Sequence, residues 1–169
     1  GDIDESWVYD TYGVSSESSV NYDMVFVVDR GQPAAVTGYR RGEAFKPVLE
    51  DYFSDKITAL LAGLPQDVTT HQSKATMLKT AEGIAIIAAA PILPTSDDVT
   101  VPSASPRYLV LAKSLTADFV KSIGKQYVID GLEINAATGA APRGQIIEDF
   151  GGNPGAVVTW SERRRGDIA

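Results

Sequence analysis

The chain contains no cysteine. That excludes a disulfide framework, a thiolate zinc site and a cysteine nucleophile, and it leaves the compartment open, since exported and cytosolic domains alike do without disulfides. Histidine is almost as scarce. His71 is the single example and sits in a polar stretch, where it reads first as a surface residue and only second as a catalytic base. No uninterrupted run of about 18 apolar residues occurs, so no segment reads as a membrane-spanning helix, and no signal peptide is apparent. A phosphate loop, a dinucleotide fingerprint and a G-x-S-x-G elbow are all missing, which leaves nucleotide chemistry and serine hydrolysis without a motif. Basic residues are few: 15 Lys plus Arg stand against 22 Asp plus Glu, a net charge of −7. Phosphate backbones and anionic membrane surfaces would repel such a chain, so nucleic acid is not an expected partner.

Acidic residues fall in clusters, at Asp2, Asp4 and Glu5, at Asp97 and Asp98, and at Glu148 and Asp149. Solvated charge is the simplest reading of each. Acid–base work would need a spatial pairing that sequence does not display, and the EF-hand spacing for calcium is absent. No cofactor, metal site or catalytic residue is therefore expected. Arg163, Arg164 and Arg165 read as an exposed basic end, and the Arg165-Gly166-Asp167 tripeptide as coincidence.

What is present suits one packed domain. The 169 residues are 44% apolar and 22% charged, enough to build a core without staples. The chain starts at Gly1-Asp2-Ile3 and reads as an excised fragment, with Gly1 as the scar of a cleaved tag and flanking membrane helices removed.

The pattern along the chain predicts a short helix over 3–13 and a polar break at 15–19. A strand buried on both faces follows at Met24 to Val28, then a turn at 29–32 and a returning strand over 33–38. Apolar residues at three-and-four spacing from Phe45 to Leu64 predict one long helix over 44–64, with Pro47 in its first turn and Gly63 and Pro65 at its end. Further strands are expected near 75–78, over 83–92 and over 107–113. The prolines at 91, 94, 102 and 106 punctuate a long loop suited to a lid or an insertion. Thr116 is placed to cap a helix through Ile123, stopped by Gly124, and three short strands complete the tail at 132–135, 145–149 and 156–160. Hairpins with helices packed on them make an α+β fold with a mostly antiparallel sheet.

Several of these segments resemble one family. Trp7-Val8-Tyr9-Asp10-Thr11-Tyr12 resembles the W-x-D-D-T-Y-like signature near the start of the fourth subclass of CHASE extracytoplasmic sensor domains, with Tyr9 in place of the first acidic residue. Val25 to Gly31 resembles its strand and D-x-G turn, Ala88-Ala89-Ala90-Pro91-Ile92 its A-x-P-I segment, and Tyr108 to Leu115 its strand entering a helix. Val158-Thr159-Trp160 with Arg164 and Gly166 is similar to a W-x-P-x-x-P-G stretch, with Ser161 and Arg165 in place of the prolines. The resemblance implies a PAS- and Cache-related sheet flanked by helices, with a ligand pocket on one face. It further implies a periplasmic domain anchored in the inner membrane between two transmembrane helices. The implied output is a cytoplasmic GGDEF or EAL domain that makes or degrades cyclic di-GMP.

On that reading Tyr39, Arg40, Arg107 and Tyr108, near strand ends, are the candidate ligand-binding residues, and an arginine there suits a carboxylate through paired hydrogen bonds. Sheet packing by the tyrosines and solvation of Arg40 and Arg41 is the competing reading. Trp7, Asp10 and Tyr12 are either a pocket wall or a dimer-interface coupling, or a helix pinned to the sheet by two aromatics with Asp10 capping or hydrogen-bonding a backbone. An unknown small-molecule ligand and a homodimer are the expected partners. Rival readings are a ligand-free dimerisation or protein-interaction module, a small enzyme built around carboxylates or His71, and a cytosolic PAS-like domain.

Overall fold

The computed structural model describes residues 3–29, 31–32, 34–65, 72–93, 107–137, 144–148 and 154–161. His71, the expected lid loop with Asp97 and Asp98, Asp2, Asp149 and the basic run at 163–165 lie outside the described residues.

A six-stranded antiparallel sheet organises the chain. Its strands are β1 (Met24–Asp29), β2 (Thr37–Arg40), β3 (Glu43–Ala44), β4 (Lys74–Thr80), β5 (Gly83–Pro91) and β6 (Arg107–Ser114), in the order β3-β2-β1-β6-β5-β4. β1 and β6 are central, which explains the unbroken apolar run of β1: both of its faces are covered and Met24 to Val28 are all buried. The returning strand of the first hairpin lies at 37–40, later than the expected 33–38, with Val25 opposite Tyr39 and Val27 opposite Thr37. Three further strands, β7 (Glu133–Ala136), β8 (Gln145–Glu148) and β9 (Pro154–Thr159), form a second small sheet in the order β7-β9-β8. The α+β architecture expected from the sequence is the one observed.

Alternation along the central strands splits the core in two. On one face Met24, Phe26, Val28, Ile87, Tyr108 and Val110 pack beneath α2 (Leu49–Phe53) and α3 (Lys56–Ala62). Phe26, Phe45, Tyr52 and Phe53 form a chain of tilted and edge-on ring contacts there, with centroids 4.8–5.9 Å apart. The other face carries Val25, Val27, Tyr39, Leu109 and Leu111 beneath the N-terminal helical run.

The single helix expected over 44–64 is two helices. Apolar periodicity is obeyed, since Leu49, Tyr52, Phe53, Ile57, Leu60, Leu61 and Leu64 are buried. The backbone, however, breaks at Ser54, with φ 65° and ψ 175°. Residues 43–44 pair instead as β3 against β2 across an Arg41-Gly42 turn, both of whose residues have positive φ.

At the N-terminus the helical run is longer than expected. α1 (Glu5–Val8) continues as a π-turn over Tyr9–Gly13 and a 3-10 turn over Val14–Glu17. Ser16 is buried and explains the extension: its hydroxyl donates to the Gly13 carbonyl at 2.6 Å and accepts from the Gly42 N–H at 2.9 Å. α4 (Ala117–Gln126) starts at its expected cap, the Thr116 hydroxyl accepting from the Phe119 N–H. It runs through Gly124 instead of stopping there. A Cβ on Gly124 would meet the Ile129 carbonyl at 2.9 Å, so this glycine serves close packing and not termination.

Candidate functional site

Register decides which candidate residues meet. Tyr39 and Arg107 face the N-terminal helical run, while Arg40 and Tyr108 face α2 and α3. Even the pair on the shared face is separated along the strands, because Tyr39 sits opposite Val25 and Arg107 opposite Asp29. The four do not form one site.

Each has a definite setting. Tyr108 is fully buried and donates its hydroxyl to the Pro65 carbonyl at 3.4 Å. Tyr39 is buried under the helical run, its ring tilted against Tyr9 with centroids 5.1 Å apart, and its hydroxyl donates to the Glu5 carbonyl. Arg40 holds Glu82 through both terminal nitrogens, Nη1 at 2.7 Å from Oε1, and lies 5.5 Å over the Phe45 ring. That hydrogen-bonded pair draws the Glu82 carboxyl below its usual range and raises the Arg40 guanidinium.

Arg107 lies in a pocket. A cavity of about 190 Å³ opens between α1 and the sheet, lined by Ile3, Asp4, Trp7, Val8, Tyr12, Val27, Ile92, Arg107 and Leu109. Thus three sequence-chosen residues, Trp7, Tyr12 and Arg107, come together there, whereas exposed Asp10 is not part of the lining. Trp7 and Tyr12 meet edge to face, centroids 6.0 Å apart. Trp7 stands 55% exposed at the rim, while its neighbour Val8, 3% exposed, is the residue that anchors the helix.

The polar groups are few and mostly committed. Asp4 caps α1, its Oδ1 accepting from the Trp7 N–H at 3.0 Å. Arg107 donates from Nε to Asp29 Oδ1 at 2.9 Å, a cross-strand pair fixed by the β1–β6 register. On the far side of Arg107 the Ile92 N–H donates to its carbonyl. The buried Thr37 hydroxyl, opposite Val27 on this face, has no hydrogen-bond partner among the described residues.

The helical run over the pocket is tied to the β2–β3 segment at both ends, by the Tyr39 hydroxyl donating to the Glu5 carbonyl and by the Gly42 N–H donating to the Ser16 hydroxyl. Gly13 allows this approach, since a Cβ there would meet the Tyr9 and Tyr39 rings at 2.7–3.0 Å. Lys46 adds an exposed ion pair to Glu5. Val27, Ile92, Leu109 and Asp29 were not singled out from sequence as site residues. The signal available was alternation: Val27 and Asp29 are two apart on β1, as are Arg107 and Leu109 on β6, so each pair must share a face.

A larger groove runs between α4 and β7, lined by Val120, Lys121, Gly124, Ile129, Leu132, Glu133 and Ile134 among others. It holds none of the sequence-chosen residues. Among the described residues there is no group of three or more metal-ligating side chains, and no helix is long and apolar enough to cross a membrane.

Compared with known proteins, residues 1–135 match the family model described as the CHASE4 domain, which takes in the six-stranded sheet, α4 and most of β7. No curated protein matches the chain.

Proposed function

The chain belongs to the CHASE4 domain family, a family of extracellular sensor domains, and on that premise we propose that it is the periplasmic ligand-sensing domain of a membrane-bound bacterial receptor. Its role is sensory and not catalytic. In this reading the domain sits between two transmembrane helices and controls a cytoplasmic GGDEF or EAL output acting on cyclic di-GMP.

The observation that carries ligand sensing is the position of the small cavity. It lies between the sheet, whose central strand β1 is buried on both faces, and the first turn of the helical run, which leads towards the N-terminal end. A molecule seated there touches Trp7 and Val8 on one side and Val27, Leu109 and Arg107 on the other. Binding would favour one seating of α1 over another and so shift an existing equilibrium in the segment that leaves the domain.

A thermal-shift screen of the domain against carboxylates, amino acids, sugars, amines and neutral aromatics tests this. A ligand present at 100 times its dissociation constant should stabilise the fold by about 2.7 kcal/mol. The shift should vanish when Leu109→Trp fills the cavity. Absence of any saturable shift across such a panel would remove the pocket reading and leave the ligand-free interaction module.

A further inference from the structure

We propose that the cavity beneath α1 takes a small monocarboxylate with an apolar body, held by Arg107. This rests on the pocket reading above and names the ligand class.

The cavity walls set the body of the ligand. Ile3, Val8, Val27, Ile92 and Leu109 are aliphatic, and Trp7 and Tyr12 supply rings at the rim. A volume of about 190 Å³ is small. In other proteins a dry cavity of roughly 150 Å³ accepts one benzene ring, so a single ring or a short branched chain fills this one. Sugars and dinucleotides are too large and too polar for it.

Its head group follows from which polar atoms are free. Asp4 is turned to the helix amide that it caps. Asp29 is occupied and neutralised by Arg107. The Arg107 bond to Asp29 uses Nε, and the two terminal nitrogens have no hydrogen-bond partner among the described residues. They form a planar pair of donors whose direction Asp29 fixes. A carboxylate accepts two parallel N–H bonds from such a pair, and neither a hydroxyl nor an amide offers two equivalent anionic acceptors. A dicarboxylate would set its second charge against a mainly aliphatic wall.

Tryptophan fluorescence reads the site directly. The chain has two tryptophans, and Trp160 lies outside the pocket lining, so Trp160→Phe leaves Trp7 as the only reporter. Benzoate and isovalerate, titrated at constant ionic strength, should change Trp7 emission saturably. Benzamide and isovaleramide, of nearly the same shape, should bind at least about tenfold more weakly, the loss expected for a charge-assisted hydrogen bond. Arg107→Lys should weaken the acids by a similar factor while leaving the melting temperature near that of the parent. If amides bind as tightly as acids, or Arg107→Lys leaves acid affinity unchanged, the carboxylate assignment is overturned and the pocket reading stands. If the amides, the acids and the neutral aromatics all leave Trp7 emission unchanged, both fall.

Discussion

Thr37 shows how much a single atom can be asked to explain. Its side chain is fully buried, and its hydroxyl has no partner among the described residues. A buried hydroxyl without a hydrogen bond costs free energy that a methyl of similar shape does not. Val at this position keeps the β-branched shape suited to β2 and removes the orphan. Thr37→Val is therefore expected to stabilise the domain by about 1 kcal/mol, a rise of about 2–4 °C in melting temperature for a chain of this size. Denaturant titration at unchanged m-value checks it. A loss of stability would show that the hydroxyl has a partner beyond the described residues.

Ser54 sets the same kind of question for an element. Its φ of 65° with ψ of 175° lies in a region that glycine enters freely and a residue with a Cβ does not. Ser54→Gly is expected to stabilise the α2–α3 junction by about 1 kcal/mol, read as a raised unfolding midpoint, and Ser54→Ala to do nothing of the kind. This break was not legible in the sequence. Phe53 and Ile57 are four apart, as they would be in one continuous helix, so the period reports which face is buried and says nothing about backbone continuity. The helical run past Gly13 was hidden for a related reason. Ser15, Ser16 and Ser18 look like a polar break, and it is the tertiary bond from the Gly42 N–H to Ser16, together with the Ser16 bond to Gly13, that supports the extension. Where local signals decide alone, as at the Thr116 cap or in the apolar run of β1, the sequence was sufficient.

Arg40 and Glu82 tie elements together that are far apart in the sheet. β2 and β5 are separated by β1 and β6, yet Arg40 reaches the β4–β5 turn across α2, where the Ala81 N–H also donates to the Tyr52 carbonyl at 2.8 Å. The Glu82 carboxyl is held below its ordinary range by the Arg40 hydrogen bond. Its folded pKa is thus lower than its unfolded one. The stabilisation is fully present above the unfolded value, near about 4.3, and is lost as pH falls through the folded value. Both side chains are partly solvent-exposed, so the pair is worth at most about 1 kcal/mol. Glu82→Gln should lower stability slightly at neutral pH and flatten the acid limb of a stability–pH curve below about pH 4. An acid limb identical in parent and variant would show that the pair contributes nothing.

At the scale of the whole molecule, part of the candidate site was legible and part was misassembled for a reason present in the sequence itself. Tyr39 and Arg40 are adjacent on one strand, as are Arg107 and Tyr108 on another. Adjacent strand residues point to opposite faces, so these four could never line one pocket. What sequence could not supply was register, which places Asp29 beside Arg107, and the packing that brings Arg107 into the cavity with Trp7. The exposed side of that helical run raises the remaining question of assembly. Trp7 and Val14 are 55% and 48% exposed, on the segment whose seating the proposed ligand would alter. A second copy meeting this surface would couple pocket occupancy to the spacing of two receptor chains, and we expect the domain to dimerise through it. Val14 lies outside the pocket lining, so Val14→Glu tests the surface without touching the ligand. Sedimentation velocity should show a concentration-dependent dimer for the parent and a monomer for Val14→Glu, with the melting temperature of the monomeric form and the benzoate response retained. A parent that stays monomeric at high concentration, with and without benzoate, would place any pairing of receptors in other parts of the protein.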